Sequence, residues 1–447
     1  MTKYTAKRLP QHTGPAAWNK ILGAQSAATP LNSDITADFV VIGGGFAGLS
    51  AVRRLTQLQP NVKIVVLEAG RLAEGAAGRN SGFMIDLPHD LASDDYVGQG
   101  ADADRMMIGL NRQAIEFARD AVEEYGTDPN YFDPVGKVNG SASVAGDAHN
   151  ASYARHLSRL SEYFEVLDAQ TMYELTGSRH YRSGLYTPGA VMLQPAGYIR
   201  GLGEGLRRSV GLHENSAVTK FAKIGSDWCV KTLKGSVTTP RVILANNGHL
   251  ESFGIAKGRL MQLFLYASMT PELTKGDIAN LGGQSRWGIT PSDPMGTTIR
   301  RIDTGQGGNR IITRTCAAMR PNMITSKADL ARALKVQQEK FYSRFPQLAG
   351  MKMQYRWAGH LCLSLNSVSM IKEIEDGLFS ACVQNGLGVT RGTLTGIAAA
   401  EMACGEVSEI TRYFIAEDQP RRLPPQPFAT IGANAYLRWK EWRAGKE

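Results

Sequence analysis

The apolar pattern opens with an unbroken run at residues 37–42, short and β-branched, as expected of a strand buried on both faces in a parallel sheet. Leu49, Val52, Leu55 and Leu58 then recur every three residues, forming one face of a helix. Residues 63–67 make a second apolar run that ends in Glu68. Met106, Ile108, Leu110, Ile115, Phe117 and Val122, spread among charges over 105–125, predict an amphipathic helix outside this unit. Residues 217–224 and 227–233 read as strands, followed by a run at 241–245 that ends in Asn246-Asn247-Gly248. Residues 297–301 and 309–315 flank Gly305-Gln306-Gly307-Gly308, a hairpin pattern. Residues 378–383 predict a strand, 385–390 a tight turn and 393–403 a helix. A proline-rich strap at 419–427 leads to a last amphipathic helix, whose Trp439 and Trp442 are expected to dock against the body rather than lie on a membrane. No internal repeat is present.

Composition narrows the class. With 447 residues, 43% hydrophobic and 20% charged, the chain fits an ordinary globular protein of more than one domain. Five scattered cysteines, none in a C-x-x-C pair, argue against a disulfide framework or a zinc site, and no cluster at metal spacing is found. The net charge of +9 sits mostly at the two ends, in residues 1–33 and 421–447. These are read as solvated termini, with no basic stripe for nucleic acid. The start has no secretory pattern, and the apolar stretch 39–52 is too short to span a membrane, so a cytoplasmic protein is expected.

The first sixty folded residues carry the chemistry: strand, Gly43-x-Gly45-x-x-Gly48, helix, strand, acid. Gly43 allows the turn, Gly45 lets backbone approach a pyrophosphate, and Gly48 lets helix and strand pack closely. The phosphates would then meet unpaired N–H groups at the positive end of the helix dipole. Glu68 is placed to accept bonds from ribose hydroxyls and would repel a 2′-phosphate. The pattern indicates a dinucleotide without saying which one. Three further stretches bear on that choice: Gly75–Phe83, rich in small residues; the run at 241–245 ending in Asn246-Asn247-Gly248; and the second glycine turn at Gly386–Thr390.

On these residues the chain resembles the FAD-dependent D-amino-acid oxidase superfamily, which includes glycine and sarcosine oxidases. It is most similar to the γ-glutamylputrescine-oxidase-like branch, through 345–350, 355–359, 167–170, 184–186 and 194–195. The resemblance implies an α/β plus α+β fold, with an FAD-binding Rossmann-like domain of the glutathione-reductase type interleaved with a mixed-sheet substrate domain. The expected division is a basic arm at 1–33, the FAD domain at 34–90, 190–250 and 358–447, and the substrate domain at 91–189 and 251–357. Carried onto this chain, the ADP half of FAD meets Gly43, Gly45, Phe46, Ala47, Gly48, Glu68, Ala69 and Arg71, with Val218 and Asn246 nearby. The flavin half meets Arg79, Asn80, Ser81, Gly82, Gly386, Gly388, Val389 and Thr390, where Arg79 and Asn80 have the chemistry to bond phosphate or carbonyl groups.

The implied reaction oxidises the C–N bond of an amine, an N-substituted amino acid or a γ-glutamyl amide. Hydride passes to flavin N5, water hydrolyses the imine, and dioxygen (O2) reoxidises the flavin to give hydrogen peroxide. A dehydrogenase using a quinone or carrier, a flavin monooxygenase and a non-catalytic nucleotide-binding scaffold are the alternatives. The arginine that follows the Trp-x-Gly step in glycine-oxidase-like relatives is missing from Trp357-Ala358-Gly359. Arg314 stands instead where the close branch tends to place glycine, either pointing inward to clamp a carboxylate or outward in a salt bridge. His360 is a candidate for tuning flavin or touching substrate, or an ordinary buried histidine. Tyr266 and Trp357 are candidate pocket walls, or core. Some sarcosine-oxidase relatives attach flavin to a cysteine near Cys362, but the register is one residue off, so non-covalent FAD is expected.

Overall fold

The computed structural model describes residues 3–87 and 101–447, so the expected boundary between 90 and 91 lies outside the described residues. Two large sheets dominate. In the first, Phe39–Ile42 and Ile64–Leu67 are buried along their whole length, as β-branched runs enclosed by helices must be. Six strands lie in the order 211–213, 64–67, 39–42, 241–244, 378–382, 370–375, all parallel except the last. Helices Phe46–Leu58 and Thr390–Cys404 cover one face together. They touch closely because Gly396 has no side chain: a Cβ there would sit 2.2 Å from the Ala47 carbonyl oxygen.

The second sheet has eight strands in the order 355–364, 260–269, 310–319, 298–302, 287–291, 137–141, 183–187, 165–168, with one parallel pair, 287–291 against 137–141. The expected hairpin is present as Thr298–Ile302 against Arg310–Met319. The amphipathic pattern at 105–125 belongs to helix Ala101–Tyr125. The molecule is therefore bilobed, a Rossmann-like region beside a separate mixed sheet, with the chain passing repeatedly between them.

Four expectations change. The N-terminal arm keeps its cations Lys3, Lys7, Arg8 and Lys20 exposed but is docked rather than free: Lys3–Thr5 pairs with Lys220–Ile224, and Ala16, Ala17 and Trp18 are fully buried. The Trp18 indole is buried with its Nε1 donating to the Asn80 carbonyl at 2.9 Å, which anchors the arm while its cations stay in water. Strand Tyr355–Ser364 runs unbroken in the mixed sheet, so the chain leaves that lobe after Ser364 rather than between 357 and 358. The last helix, Phe428–Ala444, packs on the end of strand Arg310–Met319, on the substrate side and not with the FAD domain. Its tryptophans do not dock, because the helix seats its polar side on that strand and leaves Trp439 and Trp442 46% and 78% exposed.

Candidate active site

At the carboxyl end of strand Phe39–Ile42 the chain turns through Gly43, whose φ of +114° excludes most side chains. Helix Phe46–Leu58 then starts at Gly45 with no side-chain cap, so its first N–H groups have no local partner. Gly48 is needed for packing: a Cβ would lie 1.8 Å from the Gly43 carbonyl oxygen. Gly44, not singled out from sequence, donates its N–H to Glu68 Oε2 at 2.7 Å, while Gly70 N–H reaches Glu68 Oε1 at 3.1 Å. Burial raises the Glu68 pKa, and those backbone bonds oppose the rise.

A continuous cavity runs from this point between the two lobes to the mixed sheet at Thr290, Thr298 and Arg314. Its location beyond the carboxyl ends of parallel strands is where doubly wound sheets bind ligands. Gly43, Gly45, Phe46, Ala47, Glu68, Ala69, Arg71, Val218 and Asn246 line it near the fingerprint. Arg79, Asn80, Ser81, Gly386, Gly388 and Thr390 line it farther along. Gly48, Gly82 and Val389 do not. Gly82, at φ +77°, makes room for Arg300, whose Nη1 would lie 2.2 Å from a Cβ there, and Val389 belongs to the core.

Arg79 and Asn80 also bond within the protein. The Arg79 guanidinium donates to the carbonyls of Glu74 (2.6 Å), Gly14 (3.0 Å), Thr13 and Ala358 (both 3.3 Å), tying arm, loop and mixed sheet together. Burial lowers its pKa to about 10. Asn80 accepts from Gly82 N–H and donates to the Ala77 carbonyl, closing its own turn. Arg71 is paired with Glu214 at 3.0 Å. Thr390 Oγ1 both accepts from Ile85 N–H and donates to the Ile85 carbonyl, each at 3.1 Å, fixing the helix start beneath the second glycine turn. Between strand Leu378–Cys382 and that turn, Val383 sits at φ +65°, an uncommon conformation for a β-branched residue, with Asn247 Oδ1 accepting its N–H at 3.1 Å.

Among the substrate-side candidates, Arg314 points inward. It lines the cavity, its Nε has no hydrogen-bond partner, and no ion pair to it is found among the described residues. Burial lowers its pKa to about 10. Thr298 and Ala267 sit opposite it on the neighbouring strands, and the buried Thr298 Oγ1 is also without a partner among the described residues. Trp357 lines the cavity with its Nε1 donating to the Arg79 carbonyl at 3.0 Å. Tyr266 is not a pocket wall. Leu265 and Ala267 face the cavity, so the two-residue period turns Tyr266 to the other face, where its hydroxyl meets Thr325 Oγ1 at 2.8 Å.

His360 lines the cavity, and its Nε2–H donates to Gln262 Oε1 at 2.9 Å. The Gln262 amide is oriented by donating to Glu251 Oε2 and the Gly248 carbonyl. Burial, with His249 nearby at a ring separation of 5.7 Å, holds the imidazole neutral at a pKa of about 3. Sequence reasoning missed His249, Thr290, Thr298, Gln384 and the arm residues 8–12, all of which line the cavity. No local period marks them, since only long-range packing brings them there. Cys362 faces away: it is fully buried, and burial pushes its thiol pKa well up.

A sequence model of the family described as DAO, FAD dependent oxidoreductase, matches residues 38–402. The chain is 26% identical over 420 residues to gamma-glutamylputrescine oxidoreductase of Escherichia coli, covering 91% of this chain and 93% of that protein. It is 24% identical over 393 residues to the probable oxidoreductase OrdL of Haemophilus influenzae, covering 86% of each. In fold it is similar to glycine oxidase from Geobacillus kaustophilus, with a TM-score of 0.67 at 15% identity over 83% of this chain and 96% of that one. It is likewise similar to NikD, an unusual amino acid oxidase essential for nikkomycin biosynthesis, with a TM-score of 0.64 at 15% identity over 88% of this chain and 99% of that one. Because the family match runs through both lobes and takes in the fingerprint, the cavity and the mixed sheet, the chain belongs to the DAO family and is an FAD-dependent oxidoreductase.

Proposed function

We propose that this protein oxidises the C–N bond of an amine that also bears a carboxylate, such as an N-substituted amino acid or a γ-glutamyl amide, with dioxygen as the final acceptor and the cytoplasm as its location. The observation that carries the substrate class is Arg314, a guanidinium lining the cavity without a counter-ion among the described residues. A buried cation is unfavourable unless an anion completes it. The Thr298 hydroxyl on the same face offers the anion a second donor. The gamma-glutamyl group in the name of the Escherichia coli relative fits this class.

The residues present fit FAD. The uncapped helix at Gly45 suits a diphosphate, Glu68 suits ribose hydroxyls, and the buried Asn246 Nδ2 has no partner among the described residues. Gly386, Gly388 and Thr390 would border the flavin end, and Cys362, turned away, leaves the cofactor held without a covalent bond. When bound, FAD supplies the two-electron acceptor for the C–H bond next to nitrogen. The six-stranded lobe holds this cofactor and the mixed sheet holds the substrate.

The chain's own part is positioning and charge. Arg314 anchors the carboxylate, and Trp357 with Leu265 and Ala267 walls the carbon skeleton, so the reacting C–H is held in one orientation. Glu68, at the far end, is the sole acid among the described lining residues. Among the described residues no acid near Arg314 stabilises an ammonium, and the guanidinium favours loss of the amine proton to water. Neutral His360 adds no positive charge to be repelled.

The test compares carboxylate-bearing amines with their decarboxylated analogues, using peroxide formation as readout. The reading expects kcat/KM to favour the carboxylate form by about a hundredfold or more. Equal turnover of both forms would overturn it.

A further inference from the structure

Helix Phe428–Ala444 is mounted in the reverse sense to a core-packed amphipathic helix. Its polar side faces the protein. Asn434 exchanges two hydrogen bonds with the Met319 backbone (3.0 and 3.2 Å), and Arg438 donates to the Ala317 carbonyl at 2.9 Å. Glu441 accepts from Ala317 N–H at 2.9 Å and pairs with Arg332 at 2.8 Å. On the other side Phe428, Ile431, Tyr436, Trp439 and Trp442 follow the helical repeat, exposed at 71%, 63%, 51%, 46% and 78%. Single exposed apolar residues are ordinary, but five in register along a helix about 25 Å long mark a contact surface.

Within residues 421–447 the charges left exposed are all positive. Arg421, Arg422, Arg443 and Lys446 are exposed, and the Arg443 guanidinium lies 5.5 Å from the Trp439 ring centre. The two acids of residues 421–447 are occupied: Glu441 pairs with Arg332 and Arg438, and Glu447, 4% exposed, accepts from Ala142 N–H and Ser143 Oγ. A second copy packed on this stripe would bring like charges together, whereas an anionic surface neutralises them.

We propose that this helix seats the protein on an anionic lipid surface, with the aromatic stripe entering the headgroup region and the flanking cations meeting lipid phosphates. The attachment is peripheral, since no helix among the described residues is long and apolar enough to cross a membrane.

The test uses the full-length, flavin-loaded protein and vesicles of phosphatidylcholine alone or mixed with phosphatidylglycerol. The protein has six tryptophans, and the other four, Trp18, Trp228, Trp287 and Trp357, are at most 2% exposed. Quenching by brominated lipid therefore reports on Trp439 and Trp442. Co-sedimentation with the anionic vesicles at low salt, weakening at high salt and accompanied by quenching, is expected. Trp439→Ser with Trp442→Ser should lower partitioning at least about tenfold, and Arg421→Glu with Arg422→Glu should flatten the salt response, both with unchanged flavin absorbance and melting. No sedimentation, equal binding to neutral vesicles, or a dimer in light scattering that the tryptophan variant dissolves would overturn the proposal.

Discussion

Arg314 and His360 show how far a side chain's chemistry depends on the register of its strand. Both were visible as candidates by type and position, but inward or outward orientation follows from strand pairing, for Arg314 with Thr298 and Ala267 and for His360 with Phe264, ninety-six residues away. The same parity removes Tyr266 from the pocket and brings in Leu265 and Ala267, so composition alone misled there. Arg314→Met should lower kcat/KM for a carboxylate substrate by about a hundredfold, mostly through KM, and leave the decarboxylated analogue nearly unchanged. Steady-state kinetics on the substrate pair checks this.

For His360 and His249 the folded pKa values, about 3 and about 4, lie below the ordinary 6.5. The unfolded chain therefore binds more protons in acid, and the stability linked to these groups is complete above pH 6.5 and lost as pH falls toward 4. Between pH 7 and 5 this amounts to about 1–2 kcal/mol for His360. Melting curves should fall over that interval, and His360→Asn should make the fall shallower. An unchanged slope in the variant would contradict it.

Elements built from local signals were legible, and those built from distant contacts were not. The βαβ unit, the strand at 378–382 and the helix after it follow from runs, glycines and periods within a few residues. The arm carries no such period, yet it contributes a strand, a buried Trp18 and cavity wall at residues 8–12. Trp18→Ala leaves a large void against Arg300 and the Asn80 turn, so a loss of about 3–5 kcal/mol and weaker flavin retention are expected, read by melting and by flavin fluorescence after gel filtration. At the helix pair, Gly396→Ala drives a methyl into the Ala47 carbonyl. It should destabilise by about 1–3 kcal/mol, since overpacking against backbone has no easy relief, and a melting temperature equal to that of the parent would refute the packing argument.

Across the whole molecule, the interleaving of two lobes was readable through family resemblance, because ordered motifs survive where individual contacts do not. The exact crossing points were not, since strand Tyr355–Ser364 looks the same in sequence whichever sheet it joins. The last helix inverts its expected face for the same reason: amphipathicity says which side is apolar, not which side the body covers. With Cys362 turned from the cavity, acid or heat denaturation should release all the yellow chromophore, and colour remaining on the precipitate would contradict non-covalent binding.

The central claim, that this chain uses FAD to oxidise a carboxylate-bearing amine, is tested most directly by anaerobic titration of the yellow protein with such amines, followed by admission of air. The account predicts stoichiometric loss of flavin absorbance, its rapid return in air and one equivalent of peroxide. Protein that is colourless after incubation with FAD, or flavin that no amine bleaches, would contradict it.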